Sequence, residues 1–248
     1  MAIEFKKTSI KGHTPEIWRG ECKMLPGGFK PKNNIPVGSV VYRGVLVEVN
    51  FSEMSAAVIK IASVLSGGTT SKPRIAKGHL FAVGDVIAKV GKDDKSVTVS
   101  SIDTSNADYD VLNLSAAITG LSNGDAIIES LDYGYLDATS TTTGALKIVA
   151  NDAQSVGDDE IKLQSVTPYL GEETLAVGDY VILQKSVAKY TPNMVNGAVK
   201  EFNGKGLPTI DAAYEAVVLY PSLGFPILPD WLNGCCLKSN PNILFIKQ

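Results

Sequence analysis

Short runs of β-branched apolar residues, each introduced by a glycine-containing turn, dominate the chain. Four of these runs share one phrase, in which an apolar residue precedes Gly-Asp or Gly-Ser and a Val/Ile-rich run follows: IPVGSVVY (35–42), FAVGDVIAKV (81–90), LSNGDAII (121–128) and LAVGDYVIL (175–183). Glycine supplies the positive φ that turns the chain, and Asp or Ser can hydrogen-bond a neighbouring backbone group. A Val/Ile run suits a strand that is buried on one or both faces. The phrases therefore predict strand entries in a mainly β fold.

Other segments extend this pattern, with one exception. In the run VVYRGVLVEVNF (40–51), Val45, Val47, Val49 and Phe51 recur at period 2, which predicts a strand. The run SEMSAAVIKIASVL (52–65) has apolar residues at helical spacing, but it is rich in β-branched residues and a Gly-Gly turn follows, so we favour a strand over a helix. The exception is IDAAYEAVVLY (210–220), which predicts a short helix capped by Thr209 and ended by Pro221.

These elements suggest four regions along the chain. Residues 1–34 are predicted to form an extended N-terminal arm, because they carry seven lysines and arginines against three glutamates and a breaker-rich stretch, LPGGFKPKNNIP (25–36). A first β unit covers 35–135 and a second covers 136–190. The two units share an outline of short strand, turn, strand, loop and Gly-Asp strand, so the fold is expected to contain barrel-like or sandwich units in two copies. Residues 191–248 complete the chain with the short helix and an irregular apolar tail that is predicted to end in a strand, ILFI (243–246).

Composition narrows the class of protein. The chain has 248 residues, of which 44% are hydrophobic, which is enough for a sizeable core. Its net charge of −3 argues against nucleic acid as a partner. No apolar run is long enough to cross a membrane, and the N-terminus lacks the apolar core of a secretory signal. Cys22, Cys235 and Cys236 form no disulfide framework, so we expect reduced thiols in a protein made in the cytoplasm.

No motif points to catalysis or to a cofactor. The two histidines, His13 and His79, stand in no metal-ligand spacing, and His79 is interpreted as a structural turn residue before a strand. The loop SGGTTSKPR (66–74) lacks the Gly-Lys-Ser/Thr ending of a phosphate loop, and NDAQSVGDDE (151–160) lacks the calcium-loop pattern. A serine nucleophile elbow is also absent. We therefore predict no catalytic, cofactor-binding or metal-binding residue, and we expect a protein that is not an enzyme.

One stretch resembles a known group of proteins. The segments GGTTSKPRIAKGHLFAVGDVIAKV (67–90) and VTVSSIDTSNADYDVLNLSAAI (97–118), with the Gly-Asp strand that follows, resemble head-surface proteins of tailed bacteriophages that infect gut bacteria. That group comprises head fibre and auxiliary (decoration) capsid proteins, including those of the crAss-like phages. The resemblance covers Pro26 to Glu129 and rests on the phrases LPGGF (25–29), GGTT (67–70) and KGH (77–79).

This resemblance implies a structural virion protein on the outside of a capsid shell. Its partners would be the major capsid protein, other head proteins and further copies of itself on the lattice, and it would pass through the host cytoplasm during assembly. The chain has no collagen-like, heptad or glycine-rich shaft, which favours an auxiliary subunit over a fibre. We expect residues 1–34 and 221–248 to carry most of the shell contacts. The alternatives are a head fibre or adhesin that binds host glycans, and a surface glycan hydrolase.

Overall fold

The computed structural model describes residues 17–90, 96–130, 188–205 and 209–247, together with three short strands between residues 153 and 182. Within these residues the fold is mainly β, as predicted, and the only helical turns are two single 3-10 turns, Tyr220–Ser222 and Pro229–Trp231. No helix in this part of the chain is long and apolar enough to span a membrane.

The strands are β1 (Trp18–Met24), β2 (Lys30–Pro31), β3 (Ser39–Val41), β4 (Leu46–Asn50), β5 (Ser55–Val58), β6 (Ile61–Leu65), β7 (Arg74–Ala76), β8 (Val86–Lys89), β9 (Val97–Asp103), β10 (Tyr109–Leu114), β11 (Ala126–Glu129), β12 (Ala153–Ser155), β13 (Glu160–Leu163), β14 (Tyr180–Ile182), β15 (Met194–Asn196), β16 (Lys200–Phe202), β17 (Ala212–Leu219), β18 (Leu232–Asn233), β19 (Cys236–Leu237) and β20 (Asn240–Ile246).

Strands β6 to β11 close into a six-stranded antiparallel barrel in the order β10-β7-β6-β11-β8-β9. Closure pairs every strand on both sides and leaves no edge. Because side chains alternate across a strand, Ala62 and Val64 of β6 point into the barrel, while Ile61 belongs to the other core. The barrel interior is filled by the buried residues Ala62, Val64, Ile75, Phe81, Ile87, Val97, Val99, Leu112, Ile118 and Ile127.

Nine further strands build a large sheet in the order β18-β19-β20-β17-β15-β4-β5-β2, with β1 also paired to β17, and β12, β13 and β14 form a separate three-stranded sheet. Strand β17 is the centre of this sheet, because it pairs with β1 and β15 in antiparallel fashion and with β20 in parallel. A second core lies on this sheet and reaches the barrel through Ile59, Ile61 and Ile128. A separate two-stranded ribbon joins β3 to β16.

The helix predicted at 210–220 is wrong, because Ala212–Leu219 is strand β17. The strand is flanked by three others and is buried on both faces, so it shows no period-2 alternation. Its apolar residues therefore fell at positions that also fit a helix. The β-branched pair Val217 and Val218 was the local sign of a strand.

The arm and the tail predictions also need correction in the described residues. Within the predicted extended arm, Trp18–Met24 forms strand β1, which pairs with β17 of the same chain. The tail is not irregular throughout, since 232–246 contributes β18, β19 and β20 to the same sheet. Residues 1–16 lie outside the described residues. Pairing within the sheet gives the backbone N–H and C=O groups of both segments hydrogen-bond partners, which explains why both segments join the sheet.

The glycine-turn prediction is confirmed at three of the four phrases. Gly38, Gly84 and Gly124 have φ of +89°, +90° and +86°. In each turn the residue after glycine donates its N–H to the carbonyl three residues earlier, at 3.1 to 3.2 Å. This is the geometry of a turn with glycine at its third position. Strands β3, β8 and β11 follow directly, and the fourth phrase, with Gly178, lies outside the described residues.

The structure also tests the predictions for segments 52–65 and 40–51 and for the repeated β unit. The segment 52–65 forms strands β5 and β6, which confirms the preference for strand over helix. The single strand expected at 40–51 is divided into β3 and β4, because Gly44 turns the chain at φ +78°. In the second β unit the strand order β12, β13, β14 corresponds to β9, β10, β11. However, β14 pairs with β13, whereas β11 pairs with β6 and β8, so the pairing is not repeated.

Candidate interaction surface

The tip of the β4–β5 hairpin exposes two large apolar side chains. Phe51 is 57% exposed and Met54 is 54% exposed, at the two ends of one four-residue turn. The buried ring of Phe29 meets Phe51 edge to face, with centroids 6.0 Å apart and an angle of 81°. One side of Phe51 is therefore supported from below, while the other side is available to a partner.

The backbone of this tip is held in one conformation. Asn50 Oδ1 accepts hydrogen bonds from the N–H groups of Ser52 (2.9 Å) and Glu53 (3.1 Å), which closes the turn. Met54 has φ +49°, the only positive value among the described non-glycine residues. The carbonyl of Met54 accepts the N–H of Lys30 at 3.1 Å. A strained methionine persists only where its neighbours fix it, so the tip is preorganised.

Basic residues border the same tip. Strand β2 runs parallel to β5, which places Lys30 opposite Ser55. The next lysine, Lys32, pairs with Glu53 at 3.2 Å, and both side chains remain exposed. Hydrogen bonds from Lys32 and Ser55 lower the pKa of Glu53, so this carboxyl is ionised at neutral pH. We call Lys30, Lys32, Phe51, Glu53 and Met54 the tip patch; it combines an apolar centre with one net positive charge.

A second feature is a buried charge network between the barrel and the large sheet. Lys60 is 1% exposed, and its Nζ donates to Asp85 Oδ2 at 2.6 Å. Glu129 Oε2 lies 3.9 Å from Lys60 Nζ, and its Oε1 accepts from Lys189 Nζ at 2.9 Å. Asn33 donates to Glu129 at 3.0 Å and bonds both backbone groups of Val58. Two cations therefore balance two carboxylates, which a buried network requires.

The environment shifts the pKa values in this network. Burial raises the pKa of Asp85 above its usual 3.8, and this effect exceeds the opposite effect of its hydrogen bonds from Lys60 and Ala82. Burial alone would lower the pKa of Lys189, but the hydrogen bond and the charge of Glu129 together raise it above 10.5. The network holds strands β8 and β11 of the barrel against segments of the sheet, so we assign it a structural role.

His79 is fixed in the turn before β8. Its Nε2 lies 3.2 Å from Asp110 Oδ2, and its Nδ1 accepts the N–H of Phe81 at 3.2 Å. Asp110 also accepts Lys77 Nζ at 2.6 Å. Burial lowers the pKa of His79 below 6.5, against the opposite effect of Asp110. Both ring nitrogens are engaged within the protein, and this geometry accounts for a role in the turn.

The other residues singled out in the sequence are dispersed. Cys235 is exposed in the turn between β18 and β19, and Cys236 follows it, where burial raises the thiol pKa. Cys22 lies in β1, away from this pair in sequence. No group of three or more His, Cys, Asp or Glu among the described residues is arranged to hold a metal ion. His13 and most of 151–160 lie outside the described residues.

Sequence reasoning missed both the tip patch and the charge network. The network had one visible signal, a lysine between Ile59 and Ile61 in a β-branched run, where a buried cation needs a partner. The tip patch had none, because Phe51 fits the pattern as the last inward residue of a strand with period 2. Comparisons of the chain with protein-family models, with curated proteins and with solved structures found no match.

Proposed function

We propose that this chain is an auxiliary (decoration) protein that binds the outer surface of a phage capsid and stabilises contacts between capsomers. The tip patch is the observation that carries the docking part of this proposal. A preorganised apolar tip loses little conformational entropy on binding, and aromatic side chains with a supported base are typical binding hot spots. Exposed apolar side chains that lie together in one patch are typical of interaction sites, and Phe51 and Met54 lie at the two ends of one turn.

The extent of the resemblance supports the same proposal. The stretch from Pro26 to Glu129 contains strands β2 to β11, which include the whole barrel and the tip patch. The phrase GGTT lies in the turn between β6 and β7, and KGH precedes β8. The barrel, with its own core, therefore lies entirely within the stretch that resembles head-surface proteins, whereas β2, β4 and β5 of the same stretch belong to the large sheet.

The chemistry of the tip patch indicates what the partner surface offers. Phe51 and Met54 would fit an apolar depression on the partner surface. Lys30 is exposed without a carboxylate partner in the part of the chain that the structure describes. A shell surface with an acidic residue beside an apolar pocket fits both features. A decoration protein stabilises the shell by mass action, since the contacts exist only on the assembled particle.

Sedimentation with capsid shells that lack the protein tests this proposal. We expect the wild type to pellet with shells and to saturate, and Phe51→Ser to weaken binding by about 30-fold, the lower limit for a hot spot. Val83→Ser is the matched control, because Val83 is 58% exposed at a turn of the barrel. We expect it to bind within about twofold of wild type. Equal losses for both variants would contradict the assignment of the tip patch.

A short truncation tests whether the arm contacts the shell as expected. Deletion of residues 1–34 would remove β1 and Asn33, so lost binding would reflect unfolding. Truncation of residues 2–16 leaves every described strand intact and tests the N-terminal part of the arm, which carries three of its seven lysines and arginines. A density map of the intact particle then tests location. Failure of the chain to bind shells, together with a stable trimer that binds glycans, would favour the adhesin alternative.

A further inference from the structure

A cleft of about 890 Å³ lies between the barrel on one side and strand β3, the β3–β4 turn and the segment after β17 on the other. One wall is the outer face of β6, where Ile61, Ser63 and Leu65 point away from the barrel interior, together with Ala76 of β7. The opposite wall contains Val40, Tyr42, Val45, Leu223 and Phe225. The alternation that fills the barrel with Ala62 and Val64 therefore also builds an apolar wall outside it.

The charged residues of this cleft are all cationic. Arg43, Lys60 and Lys77 line it, and no carboxylate of the described residues does. Two of these cations are already neutralised, because Lys60 pairs with Asp85 at 2.6 Å and Lys77 pairs with Asp110 at 2.6 Å. Arg43 is exposed, and within the described part of the chain its guanidinium carbon lies 5.7 Å from the centre of the Trp18 ring. Among the described residues no carboxylate pairs with Arg43, so within this part of the chain the cleft offers one positive charge without an anionic partner.

We propose that this cleft binds a small amphiphile, whose apolar body lies between β6 and the β3–β4 turn and whose single anionic group pairs with Arg43. The cleft volume falls within the range of about 300–1,000 Å³ that is usual for small-molecule sites. An apolar lining with few polar groups is also typical of such sites. The guanidinium can donate two parallel hydrogen bonds to a carboxylate or a sulfonate. This site is separate from the tip patch and does not depend on the proposed capsid role.

Two fluorescent probes that differ by one charged group test the proposal. Anilinonaphthalene sulfonate carries the anion, and phenylnaphthylamine is the same aromatic body without it. We expect both to bind the wild type. Arg43→Gln should weaken sulfonate binding about tenfold, as for loss of a hydrogen bond between charged groups, and leave phenylnaphthylamine within about twofold. Arg43→Lys should restore part of the sulfonate affinity, and Lys205→Gln, which removes an exposed lysine elsewhere, should change neither probe.

Variants that fill the cleft test its location. Ala76→Trp places a bulky side chain on the barrel wall, and Gly224→Phe does so from the opposite side, where no atom lies within 4 Å of the added Cβ. We expect either variant, with wild-type circular dichroism, to lose both probes, and Phe51→Ser to lose neither. Undiminished binding in a folded cleft-filled variant would overturn the proposal. An Arg43→Gln effect no larger than that of Lys205→Gln would overturn the assignment of the anion to Arg43.

Discussion

Replacement of Lys60 by methionine tests the structural role of the buried charge network. The ammonium of Lys60 is 2.6 Å from the carboxylate of Asp85 and 3.9 Å from that of Glu129. Methionine fills a similar apolar volume but removes the charge. Asp85 would then keep only the N–H of Ala82, at 2.7 Å, as a buried partner. Glu129 would keep Lys189 and Asn33, so the loss falls on Asp85.

The expected size of the loss follows from these distances. At 2.6 Å and an effective dielectric constant of about 20, the attraction between Lys60 and Asp85 is about 6 kcal/mol, which is opposed by several kcal/mol of desolvation. Removal of one partner leaves the desolvation cost of the other in place. We therefore expect Lys60→Met to lower the free energy of unfolding by about 3–5 kcal/mol.

Equilibrium urea unfolding, followed by circular dichroism, measures this loss. The double variant Lys60→Met/Asp85→Asn is the control, because asparagine removes the second charge and its Oδ1 still accepts the N–H of Ala82. We expect the double variant to lie within about 1–2 kcal/mol of wild type. A double variant as unstable as Lys60→Met would refute the reasoning, since the cost would then come from packing and not from an unpaired charge.

The pH dependence gives this prediction a second readout. The folded-state pKa of Asp85 lies above its usual 3.8 and rises further when the cation is removed. A carboxyl with a raised folded pKa stabilises the fold below its unfolded pKa and loses that contribution as the pH rises through the folded pKa. The deficit of Lys60→Met should therefore shrink as the pH is lowered from about 7 to about 5. A deficit that stays constant would contradict the assignment to Asp85.

Three further predictions address the tip, the histidine and the turns. Met54→Gly should raise the free energy of unfolding by about 0.5–1 kcal/mol in urea unfolding, because glycine relieves the left-handed strain at φ +49°; a lower value would show that the methionine side chain stabilises the tip. The lowered pKa of His79 means that the fold favours the neutral ring, and this contribution to stability is lost on acidification. The free energy of unfolding of wild type should therefore approach that of His79→Asn as the pH drops below 6.5. A difference between the two proteins that does not change with pH would contradict this. Gly84→Ala should cost about 1 kcal/mol through φ +90° alone, because its Cβ meets open space. Gly68→Ala should cost about 3 kcal/mol, since its Cβ would lie 2.7 Å from the backbone nitrogen of Arg74. Thermal unfolding measures both losses, and a larger loss for Gly84→Ala than for Gly68→Ala would refute the steric argument.

Local signals in the sequence predicted the parts of this fold that local physics determines. The glycine turns were predictable because few residues besides glycine adopt a positive φ ahead of a Val/Ile run, and Gly38, Gly84 and Gly124 adopt it. The fold class followed from the same phrases. The Asp of the phrase was expected to bond the backbone, and Asp85 and Asp125 both accept a backbone N–H at 2.7 Å. Each also pairs with a lysine, which no local pattern could reveal.

Long-range pairing determined what the sequence could not show. Strand β17 has neighbours from both ends of the described chain, and its burial on both faces removed the alternation that would have identified it. The residues of the tip patch come from β2 and the β4–β5 turn, and those of the charge network come from Asn33, Lys60, Asp85, Glu129 and Lys189. Contacts of this kind depend on register between distant strands, which a single sequence does not specify.

The position of β17 has a consequence for the order in which the protein folds on the ribosome. The barrel joins strands that lie between residues 61 and 129, so it can close while the rest of the chain is still being synthesised. The large sheet cannot, because β1 must wait for β17, β4 must wait for β15, and β17 must wait for β20. During synthesis, β1 and β4 therefore present unpaired edges beside a finished barrel. Nascent-chain aggregation should concentrate in these early strands, and chaperone binding to them is the expected safeguard.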